Sequence, residues 1–70
     1  MITKGSKVII LGKFNGSHWH IATVLDIYMD GKILTVWAVK LGGKKKHVFL
    51  IERNLVSEVQ QTITGSWRKI

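Results

Sequence analysis

The sequence has no cysteine among its 70 residues. Disulfide bonds, thiolate metal sites and thiol redox chemistry are therefore excluded, and because the N-terminal residues lack the features of a secretory signal, we expect a cytoplasmic protein. Apolar runs as short as Val8–Leu11 cannot cross a bilayer. No stretch combines helical periodicity with a helix-forming composition, so a membrane-binding amphipathic helix is not expected either.

Acidic residues are also scarce. Four Asp and Glu stand against eleven Lys and Arg, which gives a net charge of +7 on a chain of 7.9 kDa. A field of this sign attracts polyanions and repels basic partners. Nucleic acid and acidic proteins are therefore the expected partners, and a membrane is not.

The length allows one small domain, and 46% apolar residues with 21% charged residues indicate a folded chain. Glycines divide the sequence, most clearly at the turn pairs Asp30-Gly31 and Gly42-Gly43. Such short segments between turns, rich in β-branched and large apolar residues, are typical of strands. The predicted strands are five: Lys7–Leu11, His20–Tyr28, Lys32–Lys40, Lys45–Ile51 and Leu55–Val59, with a tight turn at Glu52-Arg53-Asn54.

This strand pattern, with one long first loop and tight later turns, predicts an all-β fold: a single small, five-stranded, antiparallel barrel. Residues 1–60 form the barrel. Residues 61–70 form a basic and aromatic C-terminal tail, which we expect to pack on the barrel or to lie at an interface.

Several segments resemble the SH3-like barrels of the KOW and Tudor type. Those modules open with a Gly-Asp-x-Val strand and a loop carrying a second glycine, followed by a strand of the form Ala-x-Val-x-x-Ile and a turn rich in Asp and Gly. The corresponding segments here are Lys4–Ile10, Asn15–Trp19, Ala22–Ile27 and Asp30-Gly31. Glu52–Val56 is similar to the short turn before the last strand of these barrels. The resemblance covers Lys4 to Val59 and implies an SH3-like fold.

Alternation along the strands predicts which side chains form the core. The predicted core residues are Val8, Ile10, Ala22, Val24, Ile27, Val36, Val48 and Leu50. The third strand is apolar at nearly every position, so its two faces both require cover. Either Trp67 and Ile70 cover the outer face, or a second copy of the chain does so in a homodimer.

The sequence offers little to catalysis or to metal binding. Asp26 and Asp30 lie close together, but turn chemistry accounts for Asp30. His18, His20 and His47 provide three imidazoles without an acid or a cysteine to complete a zinc site. We therefore expect no enzymatic activity, no cofactor and no metal.

Basic residues point instead to nucleic acid. Lys44, Lys45 and Lys46 follow Gly42-Gly43 at a hairpin tip, where their ammonium groups can follow phosphates. Several elements of a small barrel share one rim, so other cations are expected to contribute: Lys4, Lys7, Lys13, Lys32, Arg68 and Lys69.

Aromatic residues interleave with this charge and offer faces for base stacking. Trp19, between two histidines at the end of the first loop, is the best candidate for an exposed ring, and Phe14 beside Lys13 is the second. Trp37 and Phe49 lie within apolar strands, which favours a place in the core or an interface.

Together these features predict a small basic protein that binds nucleic acid largely through phosphates, with little sequence specificity and an accessory or regulatory role. Duplex DNA is favoured over RNA, and a DNA-binding protein of this kind would be associated with the nucleoid. The alternative is an interaction module or inhibitor, of the type that phages and plasmids carry, which binds an acidic protein.

Overall fold

A computed structural model describes residues 1–70 as six strands and a single turn of 3₁₀ helix. The elements in chain order are β1 (Lys7–Ile10), β2 (Ala22–Tyr28), β3 (Ile33–Val39), β4 (Lys46–Glu52), the 3₁₀ turn (Arg53–Leu55), β5 (Val56–Gln61) and β6 (Trp67–Lys69). No α-helix is present, so no helix is long and apolar enough to cross a membrane.

The strands form one antiparallel sheet in the order β4-β3-β2-β1-β5-β6. The sheet curls into a half-barrel, which confirms the all-β, barrel-like prediction. The number of strands differs from the predicted five, because Trp67–Lys69 pairs with β5 as a sixth strand. Strands β4 and β6 are the two edges of the sheet.

The turn between β2 and β3 forms where the sequence predicts it. Met29, Asp30 and Gly31 all have positive φ, at 52°, 55° and 85°. Glycine adopts this conformation freely and Asp tolerates it, so the Asp30-Gly31 pair forms the turn with little conformational strain. The Gly31 N–H donates to the Tyr28 carbonyl at 3.1 Å and closes the turn.

The core lies on the inner face of the curl and is entirely apolar. Its main cluster contains Val8, Ile10, Trp19, Ala22, Val24, Leu34, Val36, Ala38, Ile51 and Val56. Five of the eight predicted core residues are in this cluster, and Ile27 packs against it.

The two core residues predicted on β4 are wrong. Val48 and Leu50 are 63% and 60% exposed, whereas Ile51 is buried and Phe49 packs against the core. Side chains alternate between the two faces of a strand. An error of one residue in assigning the inward positions therefore exchanges the inner and outer side chains of the whole strand. The four central residues of β4 are all apolar, so the polar residues that mark its outer face, Lys46 and Glu52, stand only at the two ends of the strand.

The outer face of β3 is not covered by the C-terminal segment. Leu34, Val36 and Ala38 are buried on the inner face, which leaves Trp37 on the outer face. Strand β6 pairs with β5, and three strands separate it from β3. Trp67 and Ile70 are themselves exposed, at 42% and 70%.

Candidate nucleic-acid interface

The positive charge of the molecule is almost uncompensated within the chain. Lys4 is the one basic side chain with a carboxylate within 4 Å, since its Nζ lies 3.7 Å from Asp26 Oδ1. The only other ion pair joins the N-terminal amine to Glu58 at 3.1 Å. Nearly every lysine and arginine can therefore meet an external anion without first breaking an ion pair.

A row of outward side chains crosses four strands. Lys7 on β1 is opposite Thr23 on β2, Thr23 is opposite Trp37 on β3, and Trp37 is opposite Val48 on β4. The Lys7 ammonium donates to Thr23 Oγ1 at 2.7 Å, which holds its long side chain along the row. The register of the sheet, rather than the order of the sequence, brings these residues together.

Two ammonium groups flank the partly exposed indole ring of Trp37. Lys46 Nζ lies 4.2 Å from the ring centroid, and Lys7 Nζ lies 6.0 Å from it. A cation over an exposed aromatic ring gains only about 0.5–1 kcal/mol. Phosphate binding and base stacking, at about 1–3 kcal/mol per base, can displace Lys46 from the ring. The pair can therefore offer a phosphate site next to a stacking surface.

The long β1–β2 loop joins the β3–β4 turn next to this site. The His20 N–H donates to the Val39 carbonyl at 2.9 Å, and the Leu41 N–H donates to the His18 carbonyl at 3.0 Å. Trp19 and Lys40 form a β-bridge between these two bonds. These contacts anchor the turn that carries the exposed lysines. We call this part of the molecule the lysine–tryptophan surface; it consists of Lys7, Trp37 and Lys46 on the outer face of the sheet, with Lys40, Lys44 and Lys45 in the adjoining segment between β3 and β4.

The Gly42-Gly43 pair shapes the turn that displays these lysines. Gly42 has a φ of 81°, which disfavours other residues. A Cβ on Gly43 would lie 3.4 Å from the Lys40 carbonyl oxygen, at the limit of ordinary contact. A tight reversal therefore places Lys40 and Lys44 on either side of the same two glycines.

The other predicted cationic residues do not join this surface as one rim. Lys32 lies in the β2–β3 turn, at the far end of β3 from the lysine turn, and Arg68 and Lys69 lie on β6. Lys4 pairs with Asp26. Lys13 lies in the β1–β2 loop next to Phe14, and it is exposed. The predicted common rim is therefore wrong for Lys32, because a strand of seven residues separates its turn from that of Lys44–Lys46.

The predicted exposure of Trp19 is wrong, and Phe14 is half-buried. Trp19 is only 7% exposed, and its Nε1–H donates to the Phe14 carbonyl at 2.8 Å. Phe49 stacks on Phe14 with ring centroids 5.2 Å apart, and its centroid lies 4.8 Å from that of Trp19. The β1–β2 loop folds over the open side of the half-barrel and closes the core with these rings. The buried ring of Trp19 and the face of Phe14 that stacks on Phe49 are therefore not available to a base.

One ionised carboxylate marks the limit of the basic patch on the outer face. The pKa of Asp26 is lowered from its ordinary value, chiefly because the Ile27 N–H donates to Oδ1 at 2.9 Å. The charge of Lys4 and the Tyr28 hydroxyl, 3.3 Å from Oδ2, lower it further, while desolvation opposes them. Asp26 stands opposite Thr35, on the side of Trp37 away from Lys46. Phosphates are therefore favoured at the Lys46 end of the sheet.

Trp37 belongs to the site, although its place in an apolar strand predicts a core or interface residue. Leu34, Val36 and Ala38 are spaced by two, so their burial places Trp37 on the other face. The small and aliphatic residues at those three positions are the sequence pattern that indicates the inner face of β3, and therefore the outward position of Trp37. The proximity of Lys7 and Lys46, however, depends on how β1, β2, β3 and β4 pair, and composition and alternation along each strand do not reveal that pairing.

No protein-family model matches the chain, and comparisons with curated proteins and with solved structures also find no match. Among the side chains of this molecule, no group of three or more His, Cys, Asp or Glu is arranged to hold a metal ion. The chemistry of the candidate site is therefore that of its lysines and its one indole ring.

Proposed function

We propose that this protein is an SH3-like barrel of the KOW or Tudor type that binds nucleic acid through the lysine–tryptophan surface. The long β1–β2 loop, the tight β2–β3 and β3–β4 turns, and the 3₁₀ turn Arg53–Leu55 before β5 support the SH3-like assignment. Phosphate contacts from the lysines supply most of the affinity, so sequence specificity is low and duplex DNA is the favoured ligand.

The observation that supports this function best is the arrangement around Trp37. Lys7 and Lys46 lie on either side of an accessible aromatic ring, and neither has a carboxylate within 4 Å. Base readout in a groove requires side chains that present directed donors and acceptors. This surface has lysines, which act as point charges, so it suits the phosphate backbone better than base edges.

The test compares two triple variants that remove the same charge from different places. Lys44→Ala, Lys45→Ala and Lys46→Ala together remove three lysines of the surface. The matched control carries Lys32→Ala, Arg68→Ala and Lys69→Ala. Fluorescence anisotropy at one salt concentration compares the affinity of each for duplex DNA, single-stranded DNA and structured RNA of random sequence, and a salt series with duplex DNA gives the slope.

We expect the first variant to lose affinity for every duplex sequence by a similar factor, with a salt slope flatter by up to about 2.7 if three phosphate contacts are lost. The control should stay close to the parent protein. Equal losses in both would mean that net charge alone attracts DNA, and unchanged binding of the first variant would reject the site. In that second case, binding to an acidic protein becomes the better explanation of the charge.

A further inference from the structure

Strand β4 is an exposed edge whose unpaired side carries apolar residues. Only β3 pairs with it. On its outer face Val48 and Leu50 are among the most exposed large apolar side chains within any strand. Natural proteins protect edges of this kind, because a free row of backbone donors and acceptors next to apolar side chains recruits another strand.

The hydrogen-bond pattern identifies which backbone groups of β4 are free. The Arg53 N–H donates to the Lys32 carbonyl at 2.8 Å, just beyond the Ile33–Glu52 pair. In an antiparallel ladder this makes Ile33 and Glu52 a non-hydrogen-bonded pair, and hydrogen-bonded pairs alternate from there. The backbone groups of Phe49 and the residues two positions to either side therefore point to β3, and those of Val48 and Leu50 point to the open edge.

The sequence of β4 is complementary to that of a second β4 strand placed antiparallel to it. An antiparallel pair of β4 strands centred on Phe49 places Val48 opposite Leu50 of the second copy. The same register places Lys46 opposite Glu52 of the second copy, and each pair occurs twice. All four of these residues lie on the outer face. The register matches apolar with apolar, joins opposite charges, and brings the free backbone groups of Val48 and Leu50 face to face.

Neighbouring registers lose this complementarity. A shift that places Val48 opposite itself puts Lys46 against Leu50, and the opposite shift puts Glu52 against Val48. In both cases a charged group is set against an apolar one. Opposite-charge and apolar cross-strand pairs stabilise a sheet, so the centred register is favoured at both positions.

A shallow apolar pocket adjoins the same edge. It has a volume of about 300 Å³ and is lined by Phe14, Ile33, Leu50, Ile51, Glu52 and Leu55. In the centred register, the aliphatic stem of Lys46 from the second copy lies next to Glu52 and so approaches this pocket. The pocket thus offers apolar cover for that stem while the ammonium group meets the carboxylate.

We propose that β4 joins β4 of a second copy in an antiparallel two-fold pair centred on Phe49. The two sheets then continue across the dimer. The outer faces of both copies become one surface, and the exposed apolar residues of β4 pack in the middle of it. The inference does not rest on nucleic-acid binding, but it shares Lys46 with the lysine–tryptophan surface: in the dimer this ammonium group pairs with Glu52 of the second copy instead of lying over Trp37.

The first test is the mass in solution after nuclease treatment, measured by sedimentation across a range of concentrations. We expect the mass to rise from 7.9 kDa towards twice that value. Lys46→Glu and Glu52→Lys, each alone, set like charges opposite each other and should weaken the dimer. The double variant restores opposite charges and should dimerise again. Lys69→Glu, which makes the same charge change as Lys46→Glu on β6, should behave as the parent.

The second test uses the absence of cysteine in the chain. A hydrogen-bonded antiparallel pair has its Cα atoms about 5.5 Å apart, within reach of a disulfide. A mixture of Val48→Cys and Leu50→Cys proteins should therefore give a disulfide-linked heterodimer on mild oxidation, in much higher yield than either protein alone.

A parent protein that stays monomeric up to about 1 mM would overturn the proposal, because that limit corresponds to only about 4 kcal/mol of binding free energy. A double charge variant no better than the single ones, or equal cross-linking of mixed and unmixed proteins, would also overturn it. Circular dichroism of every variant checks that the fold persists, and the five altered positions are exposed, so unfolding is not expected.

Discussion

Asp26 is the residue whose ionisation the structure ties to folding. Its carboxylate accepts the Ile27 N–H and lies near Lys4, and both effects lower its pKa below the ordinary 3.8. A carboxyl group with a lowered pKa in the folded state stabilises the fold at pH values above its pKa in the unfolded state. That stabilisation is lost as the pH falls through the folded value.

The prediction is that Asp26→Asn removes part of the acid sensitivity of the protein. The parent should lose stability relative to the variant as the pH falls below about 3.8, because protonation of Asp26 breaks the same interactions. Near neutral pH the variant should be the less stable of the two. Thermal melting at a series of pH values measures the difference in stability between the two proteins. The contributions of the other carboxyl groups are the same in both and cancel in this difference. A constant difference between the two proteins at all pH values would contradict the assignment.

Trp37 is the residue on which the aromatic part of the site depends. We expect Trp37→Ala to weaken binding to single-stranded DNA by about 1–3 kcal/mol, if one base stacks on the ring, and to affect duplex binding less. The control is Trp19→Ala. It removes a buried ring and should destabilise the fold by about 3–5 kcal/mol, a large fraction of the stability of a domain this small. Anisotropy titrations and urea melts separate the two effects, and equal loss for single-stranded and duplex DNA would argue against stacking.

Strand β4 shows most clearly that the alternation of side chains determines which of them are buried. The prediction compares one substitution at two valines. Val24→Asp buries an unpaired charge and should prevent folding, whereas Val48→Asp places the charge in solvent and should leave the monomer folded. Circular dichroism and urea melting check both proteins. A folded Val24→Asp protein, or an unfolded Val48→Asp protein, would mean that the faces are assigned incorrectly.

The elements differ in how far the sequence alone predicts them. The Asp30-Gly31 turn and the Gly42-Gly43 turn were predictable, because positive φ limits the choice of residue. The inner face of β4 was not predicted correctly, because the central residues Val48–Ile51 are all apolar and the polar contrast is confined to the ends of the strand. The site was predicted in part: the lysine turn was found from its composition. The burial of Trp19 was missed because it depends on how the long loop folds over distant strands.

Charge is distributed over the whole molecule with little internal pairing, so binding should respond strongly to salt. If about five lysines of the surface contact phosphates, the logarithm of the affinity should fall with the logarithm of the salt concentration with a slope near −4.5. This corresponds to roughly a 500-fold loss between 50 and 200 mM salt. Anisotropy titrations with duplex DNA across that range measure the slope. A slope near zero would show that apolar contacts dominate and would contradict a phosphate-binding surface.

The three tryptophans lie at three depths: Trp19 in the core, Trp37 partly exposed between lysines, and Trp67 open on β6. Indole fluorescence depends on solvent contact, so each ring emits from a different environment, and a soluble quencher should reach Trp67 first and Trp19 last. Variants that keep a single tryptophan would turn these depths into separate optical signals. The emission of Trp37 would report ligand binding and that of Trp19 would report unfolding, so the same molecule can follow both processes without an added label.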